Sequence, residues 1–135
     1  MRKLSVLLVD DNPMFLKAAR DVVAALPNIA GIECANSGPE ALAQFSRSNA
    51  DLVLTDIMMP EMSGFELIRK LRARDAPPHI MAVTLHESAE YRAAVRRSGA
   101  KGCISKHEFG AAIPELIASL PCVAQRTPEG CAGAS

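Results

Sequence analysis

Five polar side chains in this sequence are of the types, and at the positions, that phosphoryl-transfer chemistry requires. They are three carboxylates, one hydroxyl and one amine. Asp10 and Asp11 follow a short apolar run, Asp56 follows another, and Thr84 and Lys106 end or follow two more. Three carboxylates in one pocket repel one another unless a cation is bound, and hard oxygen donors of this kind suit Mg²⁺. A hydroxyl and a lysine beside them would neutralise a transferring phosphoryl group while Asp56 attacks as the nucleophile.

These side chains can meet only if their apolar runs are strands of one sheet. Five such runs alternate with helix-like segments, which is typical of βα units and a parallel sheet. The strand candidates are Leu4–Val9, Ile29–Ala35, Leu52–Thr55, His79–Thr84 and Gly102–Ser105. Short loops and right-handed crossovers favour an α/β fold, a flavodoxin-like doubly wound five-stranded parallel sheet of order 2-1-3-4-5 with helices on both faces. In that order Asp10 and Asp11 lie beside Asp56.

Capping residues and apolar spacing predict five helices. The first helix is predicted to begin at Pro13, with Asn12 as its N-cap, and to end at Pro27. The next three are predicted from Ser37 to about Arg47, from Gly64 to a point before Pro77, and from about Ala89 to Ser98. The fifth is predicted beyond residue 108. The first is expected to bury Phe15, Ala18, Ala19, Val22, Val23 and Leu26. Since a proline inside a helix costs about 3 kcal/mol or more, we expect the fifth to begin near Ile113, with Pro114 at its first position.

Composition restricts the class of protein. Of 135 residues, 49% are apolar and 22% charged, which is typical of one globular domain. Lys plus Arg and Asp plus Glu number 15 each, so we expect no binding to nucleic acid by this chain alone and none to membranes. The cysteines, Cys34, Cys103, Cys122 and Cys131, lack zinc-site spacing and indicate free thiols in the cytoplasm. Residues 1–120 are predicted to form the domain and residues 121–135 a poorly ordered tail.

The same residues resemble the receiver domain of bacterial two-component response regulators, over residues 1 to about 120. The matching segments are Val6–Asn12, Asp56–Gly64, Val83-Thr84, and Gly99–Gly102 leading to Lys106, and they are most similar to receivers that precede helix-turn-helix output domains. The resemblance implies that Asp56 accepts a phosphoryl group from a sensor histidine kinase or phosphotransfer protein, while Thr84 and Lys106 contact the phosphoryl oxygens.

The resemblance also implies a metal site and an output surface. Asp11 would bind Mg²⁺ directly and Asp10 largely through water, and Asp56 and the main-chain carbonyl of Met58 would complete the protein ligands. Phosphorylation would then change how the face formed by helix four, strand five and helix five binds an unknown downstream protein or a second copy of the chain as a homodimer.

Departures from the family pattern concern the residues around Thr84. Cys103 stands where the family usually has an aromatic ring that moves with the threonine. The only tyrosine, Tyr91, belongs to helix four, where we expect it at the surface, with substitution for the missing ring as the alternative. Met58 and His86 occupy positions that tune water attack in the family.

Other functions are compatible with parts of this pattern. A degenerate receiver would act as an unphosphorylated docking module, which Cys103 leaves open. A Mg²⁺-dependent phosphohydrolase of the haloacid dehalogenase type needs a second acid two residues after Asp56, where Met58 stands. A flavin- or nucleotide-binding module would need a glycine-rich or Walker loop, which the sequence lacks. We therefore expect a phosphoacceptor switch and not an enzyme.

Overall fold

The computed structural model describes residues 3–85 and 88–120, in which strands and helices alternate. The strands are β1 (Leu4–Val9), β2 (Ile29–Ala35), β3 (Leu52–Thr55), β4 (His79–Thr84) and β5 (Cys103–Ser105), and the α-helices are α1 (Pro13–Ala24), α2 (Gly38–Ser48), α3 (Gly64–Arg72), α4 (Ala89–Ser98) and α5 (Phe109–Ser119). None of the described helices has the length and apolar character needed to cross a membrane. The predicted tail and the predictions for His86, Cys122 and Cys131 fall outside the described residues.

The five strands form one parallel sheet in the order β2-β1-β3-β4-β5, which confirms the predicted fold. Four strands have the predicted bounds, and β5 begins one residue later than predicted, at Cys103. Val9 pairs with Thr55, and Thr84 pairs with Ser105, so the carboxyl ends of these strands lie at one edge of the sheet. That edge is where open α/β sheets bind ligands.

Both faces of the sheet are covered, as the apolar sequences of its central strands predict. All four residues of β3 are buried. One face packs against α2, α3 and α4 around Phe45, Leu67 and Val95. The other packs against α1 and α5 around Val23 and Ile113. Successive strand residues point to opposite faces, so this arrangement determines which helices each side chain at the carboxyl edge meets.

Capping side chains fix where the helices begin. The Asn12 side chain accepts the main-chain N–H of Met14 at 2.9 Å, and the Ser37 hydroxyl accepts that of Glu40 at 3.2 Å, so both predicted caps are confirmed. The buried face of α1 differs from the prediction. Ala18 is exposed and Leu16 is buried instead, because α1 turns the Leu16, Ala19 and Val23 side of the helix toward the sheet.

The predicted start of the fifth helix near Ile113 is wrong. α5 begins at Phe109, directly after a 3₁₀ turn at Lys106–Glu108, and Pro114 lies inside it with its ring exposed. Phe109 and Ile113 are both buried against the sheet. Burying two such side chains is worth about 3–6 kcal/mol, which offsets the roughly 3 kcal/mol cost of an internal proline.

The two cysteines in the described part of the chain, Cys34 and Cys103, are not joined in a disulfide, as predicted. Burial raises the pKa of the Cys34 thiol, and the positive charge of Arg20 opposes that rise in part. A thiol in such surroundings is a poor nucleophile, so Cys34 is expected to be chemically inert.

Candidate functional site

The three predicted carboxylates meet at the carboxyl edge of the sheet. One oxygen from each of Asp10, Asp11 and Asp56 lies within 4.8 Å of the other two. Asp10 is 1% exposed and Asp56 6% exposed, whereas Asp11 is open to solvent. Asp10 follows β1 and Asp56 follows β3, and these strands are neighbours in the sheet. The strand order therefore brings together acids that are far apart in the sequence.

The loop after β3 holds the Asp56 carboxylate in place. The main-chain N–H of Asp56 donates to the carbonyl of Val9 at 2.8 Å, and that of Ile57 donates to Asp56 Oδ1 at 2.8 Å. The N–H of Met58 also hydrogen-bonds to this carboxylate. The loop then closes on itself, because the N–H of Gly64 donates to the Ile57 carbonyl at 2.8 Å. Main-chain hydrogen bonds thus hold both the backbone of Asp56 and its carboxylate.

Lys106 reaches the acid cluster from the end of β5. Its Nζ lies 2.7 Å from Asp10 Oδ2 and 3.5 Å from Asp56 Oδ2. The same nitrogen lies 4.7 Å from the centroid of the Phe15 ring, a cation–π distance. The spacing of apolar residues predicted that Phe15 is a core residue of α1. It could not predict that the ring also lies against the Lys106 ammonium, because helical periodicity carries no information on contacts with other elements.

Burial and charge work against each other in this cluster. Burial raises the pKa of Asp56, and the nearby charge of Asp10 raises it further, while Lys106 and the main-chain N–H groups of Ile57 and Met58 lower it. For Lys106 burial alone would lower the pKa. Its hydrogen bond with Asp10 and the charges of Asp56 and Asp10 outweigh burial, so the pKa is raised and the ammonium form is favoured.

The donor set fits a divalent cation. Three carboxylates face the single ammonium of Lys106 within the described cluster, which leaves excess negative charge. Burial is the main reason that the pKa of Asp56 is raised, and the nearby negative charge of Asp10 raises it further. Hard oxygen donors with one solvent-exposed member, Asp11, suit Mg²⁺, which keeps several waters and uses few carboxylates.

Thr84 is buried at the end of β4, with 1% of its surface exposed. Ala82 pairs with Cys103 in the sheet, and Thr84, two residues after Ala82, points to the same face. That face is the one covered by α2, α3 and α4. The Thr84 hydroxyl is therefore at the carboxyl edge of the sheet, on the face covered by α2, α3 and α4.

The expected surface position of Tyr91 is wrong. Tyr91 is half-buried in the first turn of α4, its ring centroid lies 5.7 Å from that of Phe65, and its hydroxyl oxygen is buried. Burial raises the pKa of Tyr91, a hydrogen-bonding interaction with the Thr84 side chain opposes that rise, and Asp56 and Cys103 add to it. Tyr91 and Cys103, which is smaller than an aromatic residue, both pack against the same core cluster.

Comparison with known proteins assigns the family. Residues 6–118 match the response regulator receiver domain. The chain belongs to this family. The sensory transduction protein RegX3 of Mycolicibacterium smegmatis is 39% identical over 124 residues, which are 90% of this chain and 51% of RegX3. The chain therefore spans about half the length of this relative.

Solved structures share the fold of this receiver domain. A two-component response regulator of the LuxR family from Aurantimonas sp. SI85-9A1 superposes with a TM-score of 0.77 at 25% identity, covering 96% of this chain and 99% of that one. The CheX–CheY–BeF₃–Mg²⁺ complex from Borrelia burgdorferi gives a TM-score of 0.74 at 20% identity, over 86% of this chain and 90% of that one. At such low identity the second likeness shows the fold alone.

The family establishes the general function. The chain is a response regulator receiver domain of a two-component system, and such domains are phosphoacceptor switches that typically bind Mg²⁺ at an acidic cluster. The phosphohydrolase and nucleotide-binding alternatives gain no support from these matches. The Met58 side chain is 62% exposed, and the role of its carbonyl as a metal ligand stays a prediction.

Proposed function

We propose that Asp56 is the phosphoacceptor of this receiver domain and that its phosphoryl donor is a phosphohistidine on a sensor histidine kinase or phosphotransfer protein. One observation carries the proposal. The Asp56 carboxylate is buried, is oriented by the N–H of Ile57, and lies 3.5 Å from the Lys106 ammonium in the same acid cluster. An orienting donor and a nearby cation are what an acid nucleophile needs in phosphoryl transfer.

In the proposed reaction a carboxylate oxygen of Asp56 forms a bond to phosphorus as the phosphorus–nitrogen bond of the phosphohistidine breaks. The imidazole leaves with the electron pair of that bond, and the product is an acyl phosphate on Asp56. Lys106 would neutralise the phosphoryl oxygens, and the Thr84 hydroxyl would donate a hydrogen bond to one of them. Neither role requires a proton to be removed from Asp56, which reacts as the carboxylate.

Mg²⁺ would be held by Asp10, Asp11, Asp56 and the Met58 carbonyl. The cation would supply charge neutralisation for the incoming phosphoryl group. Support comes from the excess negative charge of the cluster and from the oxygen spacing of at most 4.8 Å. The CheY protein of the B. burgdorferi complex, which shares the fold, was solved with BeF₃ and Mg²⁺.

The consequence of phosphorylation would be a change in binding preference at the face formed by α4, β5 and α5. Its partner would be a downstream protein or a second copy of the chain, and binding of nucleic acid by this chain alone is not expected because its formal charges balance. Cys34 and Cys103 carry reduced thiols, which supports a location in the reducing cytoplasm.

The test is intact mass spectrometry after incubation with Mg²⁺ and acetyl phosphate. We expect the parent chain to gain one phosphoryl group and Asp56→Asn to gain none. Asp21→Asn, which removes an exposed carboxylate on α1, is the matched control and should be phosphorylated like the parent. A parent chain that gains no phosphate from acetyl phosphate or from a phosphorylated histidine kinase would favour the unphosphorylated docking module.

A further inference from the structure

We propose that the cavity between α3 and α4 binds an acidic segment of a partner protein. The cavity has a volume of about 350 Å³. Its lining residues are Ser63, Phe65, Arg69, Ala94, Arg97 and Ser98. None of them belongs to the acid cluster around Asp56, so the site is distinct from the one proposed for phosphorylation. It adds a second interaction surface to the face expected at α4, β5 and α5.

The two helices beside the cavity carry excess positive charge. Together they contain six basic and two acidic residues, whereas the whole chain has equal numbers of each. The helix dipole favours cations in a last turn, where five of these six lie. Arg72 of α3 packs against Gly99 at the end of α4, so the two last turns are side by side. Charge concentrated in this way steers acidic partners toward this side of the molecule.

Arg69 and Arg97 line the cavity without acidic partners of their own. Neither guanidinium forms an ion pair or a side-chain hydrogen bond with any residue in the described part of the chain. Arg74, just beyond α3, differs from them, because it donates to the Ser46 hydroxyl at 3.0 Å and lies over the Phe45 ring. The donors of Arg69 and Arg97 are therefore available to a ligand.

The hydroxyl groups in the cavity indicate which chemistry a ligand needs. The Ser63 hydroxyl accepts the N–H of Glu66 at 3.3 Å and donates to none of the described residues, so its proton is available. The Ser98 hydroxyl uses its proton on the Val95 carbonyl, at 2.6 Å. The groups that can bind a ligand are thus mainly donors, and two of them are charged. A carboxylate suits them, because guanidinium groups bind it in a bidentate manner.

The walls of the cavity favour a protein segment over a free anion. Phe65 and Ala94 are half-buried, so part of the lining is apolar. Arg69 and Arg97 are exposed, and a single ion pair in water is weak. A segment with carboxylates beside an apolar side chain would contact both arginines and Phe65 at once, as acidic motifs contact arginine clusters. A nucleic-acid duplex is wider than the space between two packed helices and would reach only the outer charges.

The test uses the full chain and a fluorescently labelled peptide made of glutamate, leucine and glycine. We expect saturable binding by fluorescence anisotropy at low salt, and weaker binding as NaCl is added. A peptide with glutamine in place of every glutamate should not bind. No Mg²⁺ or phosphoryl donor is present, so the outcome is independent of whether Asp56 accepts phosphate. Absence of saturable binding by the acidic peptide would overturn the proposal.

Two pairs of neighbouring substitutions distinguish the cavity from a general basic surface. Arg97→Gln and Arg69→Gln each remove a charge that lines the cavity, whereas Arg96→Gln and Lys70→Gln each remove the charge beside it. All four side chains are exposed, so every variant should fold. The two cavity variants should each weaken peptide binding about 3- to 10-fold, the worth of one hydrogen bond. Their neighbours should weaken it by less than about 2-fold. Equal losses within each pair would overturn the proposal, because binding would then depend only on net charge.

Competition identifies the class of ligand. The unlabelled acidic peptide should displace the labelled one, while inorganic phosphate and single-stranded DNA at the same concentration of negative charge should displace it less. Stronger displacement by DNA would assign this surface to nucleic acid, and equal displacement by phosphate would make the cavity a site for small anions. Either result would overturn the assignment to an acidic protein segment.

Discussion

Asp56 is the residue at which the requirements of folding and of phosphoryl transfer conflict. A nucleophilic carboxylate must be ionised, yet burial and the neighbouring charge of Asp10 both raise its pKa. Lys106 and two main-chain N–H groups reduce this effect without removing it. The folded chain therefore binds a proton at Asp56 more tightly than the unfolded chain does, and ionising this residue costs folding free energy.

Asp56→Asn should consequently stabilise the metal-free protein at neutral pH, by on the order of 1 kcal/mol. The sign follows from linkage. Below its ordinary pKa, near 3.8, Asp56 is protonated in both states and ionisation imposes no penalty. As the pH rises from there through the raised pKa of the folded state, the penalty grows, and above that pKa it is complete. Thermal melts in EDTA between pH 4.5 and 7.5 should show the gain increasing with pH.

The control for this prediction is Asp21→Asn, which removes an exposed carboxylate outside the cluster. Its melting temperature should follow that of the parent across the same pH range. An Asp56→Asn protein that is less stable than the parent at pH 7.5, or that shows the same gain at both ends of the range, would contradict the assigned electrostatics.

At the level of elements, local signals predicted the scaffold well and packing contacts poorly. The strand bounds and the caps at Asn12 and Ser37 follow from short apolar runs and side-chain chemistry, which are properties of a few neighbouring residues. The start of α5 and the position of Tyr91 depend on partners far along the chain. The burial of Phe109 outweighs the cost of an internal proline, and the Tyr91 ring packs on the same core as the small Cys103. Neither effect is visible as periodicity in the sequence.

The close approach of α3 to the site loop is one such contact. Gly64 has no positive φ requirement, but a Cβ there would collide with the main-chain oxygen of Asp56 and lie 2.6 Å from Ile57 Cα. Gly64→Ala should therefore destabilise the fold by about 1–3 kcal/mol, the usual cost of overpacking. It should also slow phosphorylation of Asp56, because the loop that orients the carboxylate must move. Chemical denaturation and timed mass spectrometry measure the two effects.

Gly31→Ala is the matched control for that substitution. Gly31 lies in β2 and is exposed, and a Cβ at this position would have no heavy atom within 4 Å outside its chain neighbours. Its replacement should leave phosphorylation unchanged and should not destabilise the chain, since alanine also restricts the unfolded state. Equal losses in the two variants would indicate a general glycine effect and not a clash at the site.

For the whole molecule, the acid cluster is a point of repulsion between the ends of the two central strands. Asp10 extends β1 and Asp56 extends β3, and Lys106, from the end of β5, is the ammonium that joins them. The unfolded chain does not bring these residues together. A cation that binds the cluster therefore binds the folded chain and not the unfolded chain. By mass action, such binding raises the free energy of unfolding of the whole domain.

Mg²⁺ should accordingly raise the melting temperature of the full chain, and the rise should depend on its concentration. At 100 times its dissociation constant the gain is about 2.7 kcal/mol, or roughly 10 °C for a domain of this size. Asp11→Asn should lose most of that rise while melting normally in EDTA, because Asp11 is exposed and supports the cation without supporting the core. Asp21→Asn should keep the full rise. NaCl at equal ionic strength is the control that separates Mg²⁺ binding from charge screening. A rise in melting temperature of the same size in NaCl, or a full rise with Mg²⁺ in Asp11→Asn, would contradict a magnesium site at the ends of β1 and β3.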